Sequence, residues 1–168
     1  MLKKYLWVFF ISMLPVVELR GGIPVGFGMD LDPVLNFLCA VLGNLLPVPF
    51  ILLFVPKILD FMEKRGIFPR FVAWLRRKAN KGVEKMAASA EEKGDENRRI
   101  PWGACLALLA FVAVPLPGTG AWTGSLIAAT FGMQKRYAFP CITVGVLMAG
   151  VLVTLISYGV LSALAFLL

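Results

Sequence analysis

The chain has 168 residues, 59% of them hydrophobic, and a mean hydropathy of +0.81. That is more apolar surface than a soluble domain of this length can hide. It has no histidine, and its three cysteines (Cys39, Cys105, Cys141) sit in apolar runs without Cys-x-x-Cys spacing. This excludes imidazole bases, Ser-His and Cys-His nucleophiles and most zinc sites. The net charge of +7 does not point to nucleic acid, because the basic residues cluster between apolar blocks, as they do on the cytoplasmic side of membrane proteins. A membrane protein that is not an enzyme, with no cofactor and no metal, is expected.

Taken in chain order, Met1-Leu2-Lys3-Lys4 and the apolar run 5–17 resemble a secretory signal. Glu18 and Arg20 stand where a small-residue cleavage site belongs, so the segment is read as uncleaved. Glu18-Leu19-Arg20-Gly21-Gly22-Ile23-Pro24 then interrupts the apolar run. Asp32 is a plausible N-cap and Pro33 fits the first helical turn. Residues 33–56 are long enough to span, since a bilayer core of about 30 Å needs about 20 residues. Gly43, Pro47 and Pro49 are expected to kink this helix.

The character changes over residues 57–99, which hold twelve Lys/Arg against seven Asp/Glu. Residues 67–75 read as an interfacial amphipathic helix, with Trp74 near headgroups and a basic face toward anionic lipid. Residues 89–97 read as a polar linker. The second half opens at Pro101-Trp102. Residues 102–114 amount to only about 20 Å of helix, too short to cross. Pro115-Leu116-Pro117-Gly118-Thr119-Gly120 interrupts them, and the equally short 121–133 follows. Two short helices joined by a Pro/Gly tip describe a re-entrant hairpin. Residues 137–168 are then a full span with spare length for tilt.

Each half therefore has a short apolar run, a Pro/Gly-rich interruption, a Phe-Gly-Met tripeptide (residues 27–29 and 131–133), a charged break and a long apolar helix. The break after the first tripeptide is acidic (Asp30, Asp32) and the one after the second basic (Lys135, Arg136). The positive-inside rule puts residues 57–99 and Lys135-Arg136 in the cytoplasm and Asp30-Asp32 outside, so the long helices run in opposite directions. The predicted fold class is an all-α integral membrane protein, an inverted-topology repeat of two re-entrant or broken hairpins, each followed by a transmembrane helix. Its parts are residues 1–56, a cytoplasmic segment 57–100 and residues 101–168. Lys3-Lys4 conflict with the scheme, and if they stay in the cytoplasm the first segment spans.

Glu18 and Arg20 are the candidate chemical residues, since an ionisable group near the bilayer centre costs about 2.5–3.5 kcal/mol or more and is normally paired or lines a cavity. One reading is a mutual ion pair holding a hairpin tip. The other has Arg20 grip an anionic group while Glu18 takes up and releases a proton. Gly21, Gly22 and Pro24 belong to the same candidate site. Pro115, Pro117, Gly118, Thr119 and Gly120 form the uncharged counterpart, with backbone groups, a hydroxyl and helix N-termini that attract anions. Trp122 and Thr123 follow, Trp122 weighing evenly between packing and the site. Gly124-Ser125 suggests an intramembrane serine protease only superficially, because no histidine exists.

The motifs Pro15-Val16-Val17-Glu18-Leu19-Arg20-Gly21-Gly22-Ile23-Pro24 and Pro115-Leu116-Pro117-Gly118-Thr119-Gly120-Ala121-Trp122-Thr123-Gly124 resemble those of the putative small multidrug export protein family, a distant relative of the DedA/VTT (SNARE-associated) membrane superfamily. The resemblance covers nearly the whole chain. It implies two opposed re-entrant hairpins, movement of lipids including polyprenyl-phosphate carriers, and an acid and an arginine carried onto Glu18 and Arg20. The second motif departs from the superfamily in lacking an arginine. The expected activity is a transporter, as a proton-coupled flippase of anionic-headgroup lipids, in a prokaryotic cytoplasmic membrane with several passes. The alternatives are a proton-coupled exporter of small amphipathic cations and a non-transporting assembly factor. Membrane lipids and an amphipathic substrate are the expected partners, a homo-oligomer is left open, and no nucleic acid is expected.

Overall fold

A computed structural model describes residues 2–65, 102–115 and 118–160. All regular structure among them is helical: α1 (Leu2–Met13), α2 (Glu18–Gly28), α3 (Pro33–Leu45), α4 (Pro47–Lys64), α5 (Trp102–Ala113), α6 (Ala121–Thr130) and α7 (Lys135–Thr154), which continues into a π-helical turn, Leu155–Val160. The amphipathic helix expected over 67–75 and the linker over 89–97 lie outside the described residues, as do Pro117 and the last eight positions.

The first two helices form a hairpin. Pro15 has no N–H to continue α1, and the chain turns over residues 14–17 before the Glu18 amide bonds the Leu14 carbonyl at 3.0 Å. Lys4 Nζ donates to the Met29 carbonyl at 2.9 Å, so the two outer ends lie side by side. Here the structure corrects the sequence reading. Gly21, Gly22 and Pro24 form no tip but lie inside α2, and the turn precedes them. Gly22 serves close packing: a Cβ there would collide with Ser12 of α1. Pro24 deprives only the Arg20 carbonyl of its usual helical donor, a loss that packed membrane helices tolerate.

Asp32 caps α3 as expected, accepting from the amides of Val34 and Leu35 at 3.0 Å each, with Pro33 in the first turn. The apolar helix runs past Pro56 to Met62, 30 residues that include an 18-residue stretch with a mean hydropathy of 2.4. Pro47 and Pro49 withhold the donors that the carbonyls of Gly43 and Leu45 would use, which separates α3 from α4. Leu46 nonetheless keeps helical angles (φ −57°, ψ −44°), so the chain kinks without stopping. The other long helix covers Lys135–Gly159, 25 residues whose most apolar 18-residue stretch has the same hydropathy.

The two long helices pack antiparallel. Asn36, early in α3, donates to the Tyr158 hydroxyl at 3.0 Å, whereas Asn44, late in α3, shares a recess with Val146 and Ala149. The first arm of each hairpin lies on the long helix of its own half. Gly43 meets the Phe9 backbone and Gly145 meets Val112 and the Leu109 carbonyl, approaches that only a missing Cβ permits and that membrane helices use to pack. The outward faces are apolar, with Trp7, Phe10, Leu42, Phe54, Leu106 and Leu155 all more than half exposed. A soluble monomer rarely shows such a surface.

Several positions in the two halves match at one chain interval. Asp30 and Gly132 both take positive φ, 55° and 65°, and both end a helix in the same pair of bonds. In one the amides of Asp30 and Leu31 reach the carbonyls of Phe27 and Gly26, and in the other those of Gly132 and Met133 reach Ala129 and Ala128; this is the Schellman arrangement. Asp32 and Gln134 then stand at the N-caps of the long helices. All these pairs, and Gly43 with Gly145, are separated by the same chain interval. The Phe-Gly-Met tripeptides are two positions off this register, so they are not structural equivalents.

Candidate functional site

The turn between α1 and α2 faces the turn between α5 and α6. Glu18 opens α2 with φ 51°, a left-handed conformation costing about 1–2 kcal/mol for a residue with a Cβ. Its carboxylate is buried, 5% exposed, and reaches the N-terminus of α6, where Oε1 accepts from the Trp122 amide at 3.1 Å. Gly120, the N-cap of α6, offers no side chain of its own. Glu18 therefore does from the other hairpin what an N-cap side chain ordinarily does, with the helix dipole adding to the attraction. Gly120 is also what makes room: a Cβ there would fall on the Glu18 carboxylate, and its φ of 146° suits glycine.

Arg20, two residues along, donates to Thr119 Oγ1 at 2.9 Å. The Thr119 hydroxyl in turn donates to the Val114 carbonyl at 2.7 Å, one of the carbonyls left open where α5 ends. The direct contact between Arg20 Nη2 and Glu18 Oε2 is 3.9 Å, longer than a charge-assisted hydrogen bond of about 2.7–2.9 Å. Each charge is thus held chiefly by the opposite tip and not by the other charge. The Trp122 indole completes the clasp, donating from Nε1 to the Met13 carbonyl at 3.0 Å.

Two recesses flank the clasp. One, with room for about 20 Å³, is lined by Pro15, Val16, Glu18, Arg20, Gly118, Thr119 and Thr123. The other, closed even to a water-sized molecule, has Glu18, Leu19, Arg20, Asn44, Gly120 and Ala121 in its wall together with Val112, Val146 and Ala149. Both are smaller than the roughly 300–1,000 Å³ of ordinary small-molecule sites. A drug or lipid head enters only if the tips part.

Of the residues singled out in the sequence, the fold brings Glu18, Arg20, Gly118, Thr119, Gly120, Trp122 and Thr123 together. Gly21, Gly22 and Pro24 line neither recess. Pro115 follows α5 without lining them, and Pro117 lies outside the described residues. Ser125 is buried and donates to the Ala121 carbonyl of its own helix. Sequence reasoning missed Asn44, which is 1% exposed, has no hydrogen-bond partner for either amide atom and sits in the smaller recess. The signal was present: between residues 33 and 56 the polar side chains are Asn36 and Asn44, two full turns apart on one face.

A family model described as "Putative small multi-drug export protein" matches residues 18–152, a stretch that starts at Glu18, just after the first turn, and takes in the second turn and most of both long helices. No curated protein and no solved structure matches the chain.

Proposed function

Because the chain belongs to this small multi-drug export family, a family of membrane proteins, we propose that it moves amphipathic molecules across the cytoplasmic membrane of a prokaryote, through a site between two re-entrant hairpin tips. Three observations support the arrangement. The hairpin arms α1, α2, α5 and α6 have 10–12 residues, about 15–18 Å of helix against a core of about 30 Å. Asn44 lies about 18 Å along the helix from Asp32, and Val146 about 17 Å from Lys135, two distances that support a clasp near the bilayer midplane. Finally, the corresponding caps and glycines of the two halves, with antiparallel long helices, are what an inverted repeat requires.

Charge orients the molecule in this reading. Lys64 and Arg65 end α4 where Lys135 and Arg136 begin the antiparallel α7, so both basic clusters share the cytoplasmic side. Asp30 and Asp32 fall on the other. Lys4 joins them there, its ammonium held by the Met29 carbonyl, which accommodates the first hairpin as re-entrant despite its lysines. A cysteine at Thr119 is then expected to react slowly with bulky impermeant thiol reagents from both faces, and rapid labelling from outside rules the buried tip out.

The observation that carries the substrate reading is Arg20. It is the less buried of the two charges, and a single short hydrogen bond occupies its fork of five donors. That leaves it able to take a phosphate or carboxylate, favouring anionic-headed lipids or drugs. Glu18 supplies the coupling: a proton on its carboxylate cancels the charge that caps α6 and attracts Arg20, so proton uptake loosens the tips while Arg20 turns to the substrate. The test is proton-driven movement of labelled anionic lipid in proteoliposomes, with Arg20→Lys expected to be impaired although folded, because a point charge does not replace the fork. Equal rates in wild type and Arg20→Lys overturn the assignment. A second reading, export of amphipathic cations, rests on the buried Glu18 carboxylate and the family's description. It gains if cationic drugs alone are moved and Glu18→Gln abolishes that movement.

A further inference from the structure

Asn44 is 1% exposed and its amide is unpartnered at both ends. Burying such a group unpaired is costly, and native structures rarely leave one without a purpose. The architecture does not demand it. Val146 stands at the same chain interval from Asn44 as Gly145 from Gly43, and the equivalent place in α7 is thus filled by an apolar side chain, 1% exposed. Asn36, on the same face of α3, is a contrasting case, because its amide nitrogen bonds both the Ile23 carbonyl and the Tyr158 hydroxyl and fastens α2 and the end of α7 to α3. Asn44 fastens nothing.

Its surroundings say what it faces. The recess holding it is walled on one side by Glu18 and Arg20 and on the others by Leu19, Val112, Gly120 and Ala121. Glu18 is engaged with the Trp122 amide and Arg20 with Thr119, whereas Asn44 has both a donor and an acceptor to give. Its position one turn before the Pro47 kink puts it where α3 and α4 can flex relative to each other.

We infer that Asn44 is a specificity-determining ligand residue of this site: its amide gives one hydrogen bond to, and takes one from, the head of amphiphiles that carry both an oxygen acceptor and a hydroxyl or N–H donor. This rests on the transport reading above and adds a selection to it. Arg20 chooses by charge, and Asn44 chooses against bulky cations that offer no hydrogen bond. The two filters act in one recess and on the same head group.

The experiment uses the full-length protein in proteoliposomes with two probes. Fluorescently labelled phosphatidylglycerol has phosphate oxygens and glycerol hydroxyls; tetraphenylphosphonium has neither. Asn44→Leu and, after the equivalent residue, Asn44→Val are compared with wild type for transport of each probe and for thermal stability in detergent. Both variants are expected to melt at or above the wild-type temperature, because an unpaired buried amide has gone. Phosphatidylglycerol movement is expected to fall about tenfold, the loss of about one net hydrogen bond, with any tetraphenylphosphonium movement unchanged. Wild-type rates with phosphatidylglycerol in both variants overturn the role of Asn44 alone. Lowered stability with both probes slowed alike makes Asn44 a structural residue and also overturns it. A wild-type protein that moves neither probe, or tetraphenylphosphonium alone, defeats the anionic transport reading, and this inference with it.

Discussion

The turn between α1 and α2 is Leu14-Pro15-Val16-Val17, with a carboxylate and a guanidinium close behind it. The turn between α5 and α6 brings Gly118 and Gly120 at φ 88° and 146°, a threonine and a helix N-terminus, and no charge among its described residues. Glu18 and Gly120 occupy equivalent places in the two halves, separated by the interval that relates Asp30 to Gly132. Had both tips kept a glutamate there, two carboxylates would meet in a low-dielectric space and repel. With glycine on one side, the carboxylate of the first tip enters the space left by the missing side chain of the second. The two turns gain complementarity by differing at their point of contact.

The largest effect should come from putting a side chain back at that contact. Gly120→Ala displaces the Glu18 carboxylate and strains a φ that suits glycine. Losing the cap and adopting that angle together cost about 2–4 kcal/mol. Gly118→Ala, with positive φ but open space around it, loses only backbone ease, about 1 kcal/mol. Melting temperatures of the two variants in one detergent measure the difference; equal shifts would mean that Glu18 does not fill the place of the missing side chain.

Next in size are the charges themselves. Glu18→Gln keeps an oxygen for the Trp122 amide but abolishes the attraction to Arg20 and the interaction with the α6 dipole, a stability loss of about 1–3 kcal/mol. Proton-driven transport should fall much further than stability, because a glutamine cannot carry the proton. A glutamine variant that still couples to a proton gradient locates the coupling elsewhere. Trp122→Phe is milder: the ring remains while the Met13 carbonyl loses its donor, about 1–2 kcal/mol. That variant should melt earlier with substrate preference intact, since the indole ties the tips together and, unlike Arg20, lines neither recess.

Much of this was legible in the sequence. The short arms of the second hairpin, the cap of α3 by Asp32 and the candidate pair Glu18 and Arg20 follow from apolar run length, from Asp-Pro spacing and from the cost of charge in hydrocarbon. What was not legible depended on packing. Gly21-Gly22-Ile23-Pro24 looks like a helix breaker in isolation, but Gly22 serves the approach of α2 to α1, and the actual turn uses the less conspicuous Pro15. Nothing local to Pro56 reveals that the helix runs on to Met62. The pairing of Glu18 with the Trp122 amide joins residues far apart in the chain and needs the third dimension, and so does the recess that makes Asn44 more than another buried amide.

The smallest effect tests the register of the repeat. Matching the two Phe-Gly-Met tripeptides would make Gly28 and Gly132 equivalent, whereas the helix ends pair Gly132 with Asp30. Gly28 is the last residue of α2, exposed, with nothing near a Cβ added to it. Alanine there should stabilise the helix by up to about 1 kcal/mol through the lost freedom of the unfolded chain. Gly132 sits beyond the end of α6 at φ 65°, also in open space. Alanine there meets no neighbour but must hold a left-handed angle, costing about 1 kcal/mol. The two substitutions, identical on paper and made within identical tripeptides, should therefore move the melting temperature in opposite directions. A shift of the same sign in both would restore the tripeptides as the true correspondence and displace the one drawn from the helix caps.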